Sequence, residues 1–153
     1  MSNATIRLAT SNDLSDLSLI HERAYLAPAS YVQIRQQLEL SPDLTLVAEV
    51  NNVPVGSLFG AKSTTPYVGW ILGVAVTPGH QRNGIGTQLL ARCIELFDEN
   101  DTTYIKLSVA PNSPAIRLYE RCGFEPLDHV NRYFGDEPRL RMIRTVPEKA
   151  NMT

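Results

Sequence analysis

The chain has 153 residues, a formal net charge of −2 and two cysteines. A chain of this length is expected to form one domain that buries its core without disulfides or metals as staples. Its slight negative charge argues against a nucleic-acid or anionic-membrane partner, and no apolar run approaches the roughly 20 residues of a membrane-spanning helix. The first residues also lack the apolar core of a signal peptide.

Apolar periodicity and turn residues predict eleven elements in the order βααβββαβαββ. The predicted strands lie at 5–8, 44–50, 53–60, 67–76, 104–109, 127–133 and 139–146. The predicted helices lie at 14–24, 31–38, 85–97 and 115–122, with a break at 27–29 between the first two. We expect one domain over residues 4–147 and a polar, frayed tail over 148–153.

Capping and turn residues predict several boundaries. Ser11-Asn12-Asp13 offers N-cap side chains to the first helix. Asn51-Asn52 predicts the turn of a hairpin, and the segment 135–138 predicts a second turn near the end of the chain. Ser113-Pro114 is a strong start for the last helix, and Gly123 is well placed as its C-terminal cap.

The segment 73–90 carries the clearest chemical signal. A short apolar run ends in Thr77-Pro78, and a helical pattern begins after the next loop. That loop contains Gln81, Arg82, Gly84 and Gly86. The first turn of a helix has amide groups without internal partners and partial positive charge, and glycine lets the backbone approach a ligand closely. These features predict a phosphate or pyrophosphate site, to which Arg82 adds charge-assisted donors.

The order of residues in this loop narrows the ligand. A Walker loop needs Gly-Lys-Ser/Thr at its end, which is absent, and a dinucleotide fingerprint needs a third glycine and a downstream acid. The pattern Gln81-x-x-Gly84-x-Gly86, after a Val-Ala-Val-x-Pro strand, instead resembles the acyl-CoA pyrophosphate loop of the GNAT superfamily of N-acyltransferases.

A second segment strengthens this resemblance. Residues 112–124 are similar to the GNAT segment Asn-x-x-Ala-x-x-Leu-Tyr-x-x-x-Gly-Phe, with a match at each named position. The two motifs occur in the family's order with one strand between them, so the resemblance covers essentially the whole chain. It implies an α/β fold in which a mixed, twisted central sheet has helices on both faces. The strands ending near Val76 and Val109 are then expected to splay apart and admit the cofactor.

The resemblance also implies the activity and the residues that contact the cofactor. The activity is acetyl transfer from acetyl-CoA to a primary amine, by direct attack in a ternary complex. The main chain of Val74, Ala75 and Val76 is expected to pair with the pantetheine arm. The cofactor-binding set is Val74, Ala75, Val76, Gln81, Arg82, Asn83, Gly84, Ile85, Gly86, Thr87, Asn112 and Tyr119. Tyr119 is the candidate general acid, because a reference pKa of about 10 leaves it protonated at neutral pH.

The general base is left open. Many relatives carry a glutamate on the strand before the Gly loop, whereas the segment 67–76 contains no acid here. Glu22, Glu49, His21 or Asp128 could reach the acceptor through water. A water chain without a dedicated base is the remaining alternative.

The acceptor is left equally open. In this fold the first two helices and the final hairpin build its pocket, which would place there Tyr25, Tyr31, Gln33, Arg132, Tyr133 and Phe134. Tyrosines suit a peptide N-terminus or a small polar amine. The alternative function is a non-catalytic acyl-CoA-binding or sensing module. The oligomeric state is also open, with a homodimer as one arrangement.

The cysteines and histidines predict neither a disulfide framework nor a metal site. Cys93 and Cys122 fall on predicted helices, and we expect buried, reduced thiols in a cytoplasmic protein. His21, His80 and His129 are scattered without metal-ligand spacing. We therefore expect no metal cofactor.

Overall fold

The computed structural model describes residues 3–25 and 30–146, and the predicted break at 27–29 and the predicted tail at 148–153 lie outside these ranges. The strands are β1 (Thr5–Leu8), β2 (Thr45–Val50), β3 (Val53–Lys62), β4 (Val68–Val76), β5 (Tyr104–Val109), β6 (Glu125–Phe134) and β7 (Glu137–Thr145). The helices are α1 (Leu14–Tyr25), α2 (Tyr31–Leu40), α3 (Ile85–Glu99) and α4 (Ala115–Arg121). Short 3₁₀ turns at Ser11–Asp13 and Pro42–Leu44 precede α1 and β2. The predicted order βααβββαβαββ is confirmed.

The seven strands form one mixed sheet in the order β1-β2-β3-β4-β5-β7-β6. Neighbouring strands are antiparallel except for β4 and β5, which run parallel. This parallel pairing covers only Val68–Trp70 against Tyr104–Lys106. Beyond Trp70 the two strands continue without pairing, so the predicted splay is present in the middle of the sheet.

A β-bulge interrupts β4 next to the splay. Gly60 of β3 lies opposite Ile71 and Phe59 lies opposite Gly73, which leaves Leu72 as the extra residue. A bulge adds one residue to one strand and shifts the alternation of everything beyond it. The half of β4 that follows Leu72 is therefore out of phase with the half that precedes it.

Helices cover both faces of the sheet. On one face α3 packs its apolar stripe against β2, β3 and β4. The buried residues of α3 are those that the periodicity predicts: Ile85, Leu89, Leu90, Cys93, Ile94 and Phe97. On the other face Leu17 of α1 and Ile34 of α2 pack together with Val47. The predicted layering is thus confirmed.

The start of α1 differs from the predicted cap. The 3₁₀ turn Ser11–Asp13 leads directly into α1, and its N-cap residue is Thr10, whose hydroxyl accepts from the Asn12 amide at 3.3 Å. Asp13 accepts from the Thr10 amide at 2.7 Å, which completes a capping box. The Asp13 carboxylate also accepts from Arg7, which in turn donates to Glu49. The assignment of the cap to residues 11–13 is wrong by one residue, because Asp13 is the N3 partner of the box.

The last helix has the caps that its sequence predicts. Pro114 already has helical dihedral angles (φ −65°, ψ −16°), and the Ser113 hydroxyl accepts from the Ala115 amide at 3.1 Å. At the other end Gly123 has φ +93°, and its amide and that of Phe124 donate back to the last turn. This is a Schellman arrangement, for which glycine is favoured.

The two hairpin turns use left-handed residues. Asn51 and Asn52 have φ of 53° and 64°, as a two-residue type I′ turn requires. The predicted four-residue turn at 135–138 is shorter than expected, because β7 begins at Glu137 and only Gly135 and Asp136 connect the strands.

Two expectations about composition can be compared with the structure. Cys93 is fully buried, and burial raises the pKa of its thiol to about 12. Cys122 is partly exposed at the end of α4, so the expectation that both thiols are buried is wrong for this residue. None of the helices in the described ranges has both the length and the apolarity needed to cross a membrane.

Candidate functional site

The splay exposes main-chain groups of β4. Hydrogen bonds from Ser63 to Val68 and from Thr77 to Val55 fix which residues of β4 are bonded to β3. Antiparallel pairing alternates from residue to residue, so beyond the bulge Ala75 bonds to β3 through its main chain. Val74 and Val76 then direct their main-chain groups into the opening. Of the three residues expected to pair with pantetheine, two face that opening and Ala75 does not.

The loop after β4 has the geometry of an anion cradle. Arg82 has φ +68° and Gly84 has φ +80°, and residues 81–84 are exposed. Gly84 caps α3 without a side chain, so the first amides of that helix lack internal acceptors. The side-chain amide of Gln81 donates to the Val76 carbonyl at 2.9 Å and thus ties the loop to the strand.

The two glycines of this loop have different surroundings. A Cβ at Gly84 would meet no atom within 4 Å, so this position is open to a ligand. A Cβ at Gly86 would lie 3.1 Å from Leu118 of α4. Gly86 therefore serves the close packing of α3 on α4 in addition to any contact with a ligand.

Asn112 and Tyr119 lie on the far side of the opening. Asn112 is exposed in the turn after β5. Tyr119 is 7% exposed and its ring lies edge-on to Phe124 at 5.9 Å. Burial raises the pKa of Tyr119 to about 12, with a further increase from Tyr25 and an opposing effect from the charge of Arg139. Those two side chains, from α1 and β7, are thus close enough to act on the Tyr119 hydroxyl.

In addition to the opening between β4 and β5, a second cavity of about 480 Å³ lies on the face of the sheet that α1 and α2 cover. Its lining residues are His21, Tyr25, Ser30, Gln33, Ile34, Gln37, Phe59, Leu72, Gly73 and Arg139. Two of the residues expected in an acceptor pocket, Tyr25 and Gln33, are among them. Tyr31, Arg132 and Tyr133 are not among them, and the side chain of Phe134 lies outside the described part of the chain.

One hydrogen bond joins this cavity to the opening in the sheet. The Tyr25 hydroxyl donates to the Val74 carbonyl at 2.6 Å. Burial of this hydroxyl raises its pKa, although the residue as a whole is 54% exposed. The exposed part is thus the ring, and the hydroxyl reaches inward. Val74 is therefore shared, with its main chain at the opening and its carbonyl contacted from the cavity.

Among the candidate bases, His21 lies in the cavity wall. Its Nε2 lies 3.1 Å from the hydroxyl of Ser57, which is fully buried, and its ring stacks on Phe59 at 4.6 Å. Burial lowers the pKa of His21 below its ordinary value of 6.5. The imidazole is therefore neutral at pH 7 and able to accept a proton.

The other candidate bases are engaged elsewhere or exposed. Glu49 is ion-paired with Arg7 at 2.7 Å. Asp128 is ion-paired with Arg141, which lowers the pKa of that carboxyl. Glu22 is exposed on α1 and does not line the cavity. Within the described residues no group of three or more histidine, cysteine or acidic side chains could hold a metal ion.

Several residues of the site were not predicted from the sequence, among them Leu72, Ser57 and Arg139. Leu72 lines the cavity because of the bulge, and the glycine that follows it inside a strand was a usable signal for that bulge. Ser57 gave no signal, since it is one polar residue in an apolar strand. Arg139 gave none either, because its approach to Ser108 of β5 depends on how β7 pairs.

Comparison with known proteins agrees with this geometry. Residues 13–124 match the acetyltransferase (GNAT) family. An N-alpha-acetyltransferase of Sulfurisphaera tokodaii is 28% identical over 144 residues, covering 86% of each chain. Ard1 from Thermoplasma volcanium has a TM-score of 0.86 at 25% identity, over 94% of this chain and 97% of that one. The Salmonella typhimurium protein yncA, solved with its cofactor acetyl-CoA, shares the fold with a TM-score of 0.79 at 24% identity, over 93% of both chains. The chain belongs to the GNAT family of acetyltransferases.

Proposed function

We propose that this acetyltransferase moves the acetyl group of acetyl-CoA to a primary amine by direct attack in a ternary complex. The observation that carries the proposal is the shared position of Val74. Its main chain faces the opening beside the anion cradle, and its carbonyl is contacted by Tyr25 from the second cavity. A donor in the opening and an amine in the cavity would therefore meet at this residue.

The residues present fit acetyl-CoA. The open position at Gly84 and the first amides of α3 suit a pyrophosphate. The amides of Val74 and Val76 face the opening and suit the carbonyl groups of a pantetheine arm, while the carbonyls of these two residues already accept from Tyr25 and Gln81. When bound, acetyl-CoA supplies a thioester whose carbonyl carbon accepts the amine.

Two groups would act on the reacting atoms. The amide of Val74, which faces the opening, would donate to the oxygen that gains negative charge as the amine adds. Tyr119 would give its hydroxyl proton to the departing thiolate. A pKa of about 12 keeps this hydroxyl protonated at neutral pH.

We assign the general base to His21. In this assignment Nε2 carries the proton and donates to Ser57, which leaves the Nδ1 lone pair to take a proton from the incoming ammonium, directly or through one water. Tyr25 complements this role. Because its own proton is donated to Val74, its oxygen can only accept, and an amine N–H is a suitable donor.

For the acceptor we propose a peptide N-terminus, with a small-molecule amine as the alternative. The Sulfurisphaera tokodaii relative is named as an N-alpha-acetyltransferase, which favours the peptide. The cavity is large enough for one or two residues of a peptide, since ligand pockets of roughly 300–1,000 Å³ hold ligands of comparable size.

The test is release of free thiol from acetyl-CoA with a panel of peptides and small amines, together with the acetyl-CoA affinity of Gly84→Val. A β-branched residue at φ +80° is strained and places a side chain in the cradle. We expect at least about a tenfold loss of affinity, equivalent to about 1.4 kcal/mol. Gly135→Val is the matched control, since it has φ +56°, equally open surroundings and a remote position in the final hairpin. Equal affinity in both variants would contradict the cradle.

The same experiment separates the second candidate function. The absence of any carboxylate in β4 favours a module that binds acyl-CoA without turnover. Tight binding of acetyl-CoA with no thiol release from any amine in the panel would support that module and overturn the acetyl-transfer proposal.

A further inference from the structure

The second cavity, in which the amine is proposed to bind, has a fixed positive charge among its described lining residues. Arg139 is the only Arg, Lys, Asp or Glu among the lining residues that the structure describes. His21 is the other titratable base there, and burial keeps it neutral at pH 7. Among the lining residues within the described ranges there is therefore one fixed positive charge and no negative one.

Arg139 is held in place by its contacts with β5. Its Nε lies 3.3 Å from the Ser108 hydroxyl and its Nη2 donates to the Ser108 carbonyl at 2.9 Å. An arginine anchored by hydrogen bonds presents its charge from a defined position, unlike a mobile surface lysine. Arg139 is also only partly exposed, so its charge is less screened by water than that of a surface arginine.

The charge of Arg139 acts where the amine must react. It affects the hydroxyls of both Tyr25 and Tyr119, which approach the reaction point from the acceptor side and from the donor side. Tyr25 in turn contacts Val74. A positive charge at this point disfavours an acceptor that carries further cations and favours one that carries a carboxylate near its amine.

We propose that the acceptor is an amine with a carboxylate a few bonds away, recognised by Arg139. This proposal rests on the proposed function and names the chemistry of its second substrate. The carboxylate belongs either to a free amino acid or to an acidic side chain near a peptide N-terminus. Polyamines and lysine side chains in basic surroundings are then poor acceptors.

The test compares acceptors that differ in charge but little in shape. One arm uses glycine and glycinamide, and the other uses peptides with glutamate, glutamine or lysine as the second residue. We expect kcat/KM to favour the anionic member of at least one arm by about tenfold or more, which corresponds to about 1.4 kcal/mol, with lysine the poorest peptide. The arm that shows the preference identifies the source of the carboxylate.

Substitutions at Arg139 test whether this residue causes the preference for anionic acceptors. Arg139→Gln should abolish the preference by slowing the anionic acceptors selectively, and Arg139→Lys should retain part of it. Arg141→Gln is the control, because Arg141 is two residues along the same strand, is paired with Asp128 and does not line the cavity. If Arg139→Gln fails to fold, the wild-type preference is measured against salt, which should reduce a charge-based preference.

Each outcome bears on the proposal. Equal kcat/KM for charged and neutral partners, or an Arg139→Gln variant that slows all acceptors alike, would overturn it while leaving acetyl transfer intact. In the second case Arg139 would act on Tyr119 or on the strands and not on the substrate. Thiol release with no acceptor in either arm would instead overturn the proposed function itself.

Discussion

Burial suits the Tyr119 hydroxyl to the role of proton donor, because it raises the pKa of that group. The hydroxyl lies on a nearly buried ring, which raises its pKa to about 12. An acid that must donate a proton works only below its pKa, so loss of this proton should not reduce the rate until the pH approaches 12. We expect Tyr119→Phe to lower kcat by about 100-fold, the lower range for general acid–base catalysis, with little change in KM.

A matched control for this variant is Tyr31→Phe. Tyr31 is exposed on α2 and does not line the cavity, so loss of its hydroxyl should leave kcat unchanged. Steady-state kinetics for both variants from pH 6 to pH 10 would make the comparison. If kcat is the same for Tyr119→Phe and the wild type, Tyr119 has only a packing role.

At this scale, residues within contiguous motifs were easier to place from the sequence than residues that the fold brings together from distant positions. The Gly loop and Tyr119 belong to contiguous motifs, whose local geometry the sequence itself specifies. The contact between Tyr25 and Val74 joins residues 49 positions apart, so it depends on how α1 lies on the sheet. The same reason explains why the sequence could not specify the lining of this cavity, to which neither Tyr31 nor Arg132 contributes.

The packing of β4 on α3 leaves no room for a side chain at Gly69. A Cβ on Gly69 would lie 2.3 Å from the ring of Phe97, which is itself fully buried. Gly69→Ala therefore forces either the ring or the strand to move. We expect a loss of about 1–3 kcal/mol in the free energy of unfolding, as for other overpacked cores, measured by urea denaturation.

Gly73→Ala in the same strand provides the comparison. Its Cβ would have the Tyr25 hydroxyl as nearest neighbour at 3.8 Å, an ordinary contact. The free energy of unfolding should change by no more than about 1 kcal/mol, the usual difference between glycine and alanine in a strand. Equal destabilisation by the two substitutions would show that glycine is needed along β4 for backbone reasons and not because of Phe97.

The order of elements was predictable because each element carries its own period. The buried stripe of α3 and the alternation of β5 needed no tertiary information. The boundaries of helices and strands were less predictable where side-chain hydrogen bonds determine them, as in the capping box of Thr10 and Asp13. The bulge at Leu72 was missed because a run of apolar residues looks the same with or without one.

At the scale of the whole molecule, the sheet is divided in its middle, where β4 and β5 splay apart. Only three residue pairs join β4 to β5, and the edge beyond them is open to a ligand. Because Val74 and Val76 direct their amides there, we expect both amides to exchange with solvent quickly in the free protein and to gain protection when CoA binds.

Ala75 is an internal control for that exchange measurement. Its amide is bonded to β3, so its protection should be high with or without CoA. Residue-resolved hydrogen exchange by NMR would distinguish the three positions. If Ala75 gains protection and its two neighbours do not, the ligand lies on a different edge from the one inferred here.

The bulge at Leu72 reverses which residues of β4, odd-numbered or even-numbered, face β5. Before it, odd-numbered residues turn their main chain toward β5, as the bonds from Thr103 and Tyr104 to the Tyr67 carbonyl indicate. After it, the even-numbered Val74 and Val76 do so. Deleting Leu72 alone would therefore leave a regular strand in which Ile71 stays opposite Gly60 and Gly73 stays opposite Phe59, so every later residue keeps its face and its hydrogen-bonding side. Deleting two residues would instead invert every later position, exchanging core side chains for outward ones and bonded amides for open ones, so the tolerance of this strand to deletion should depend on whether the number removed is odd or even.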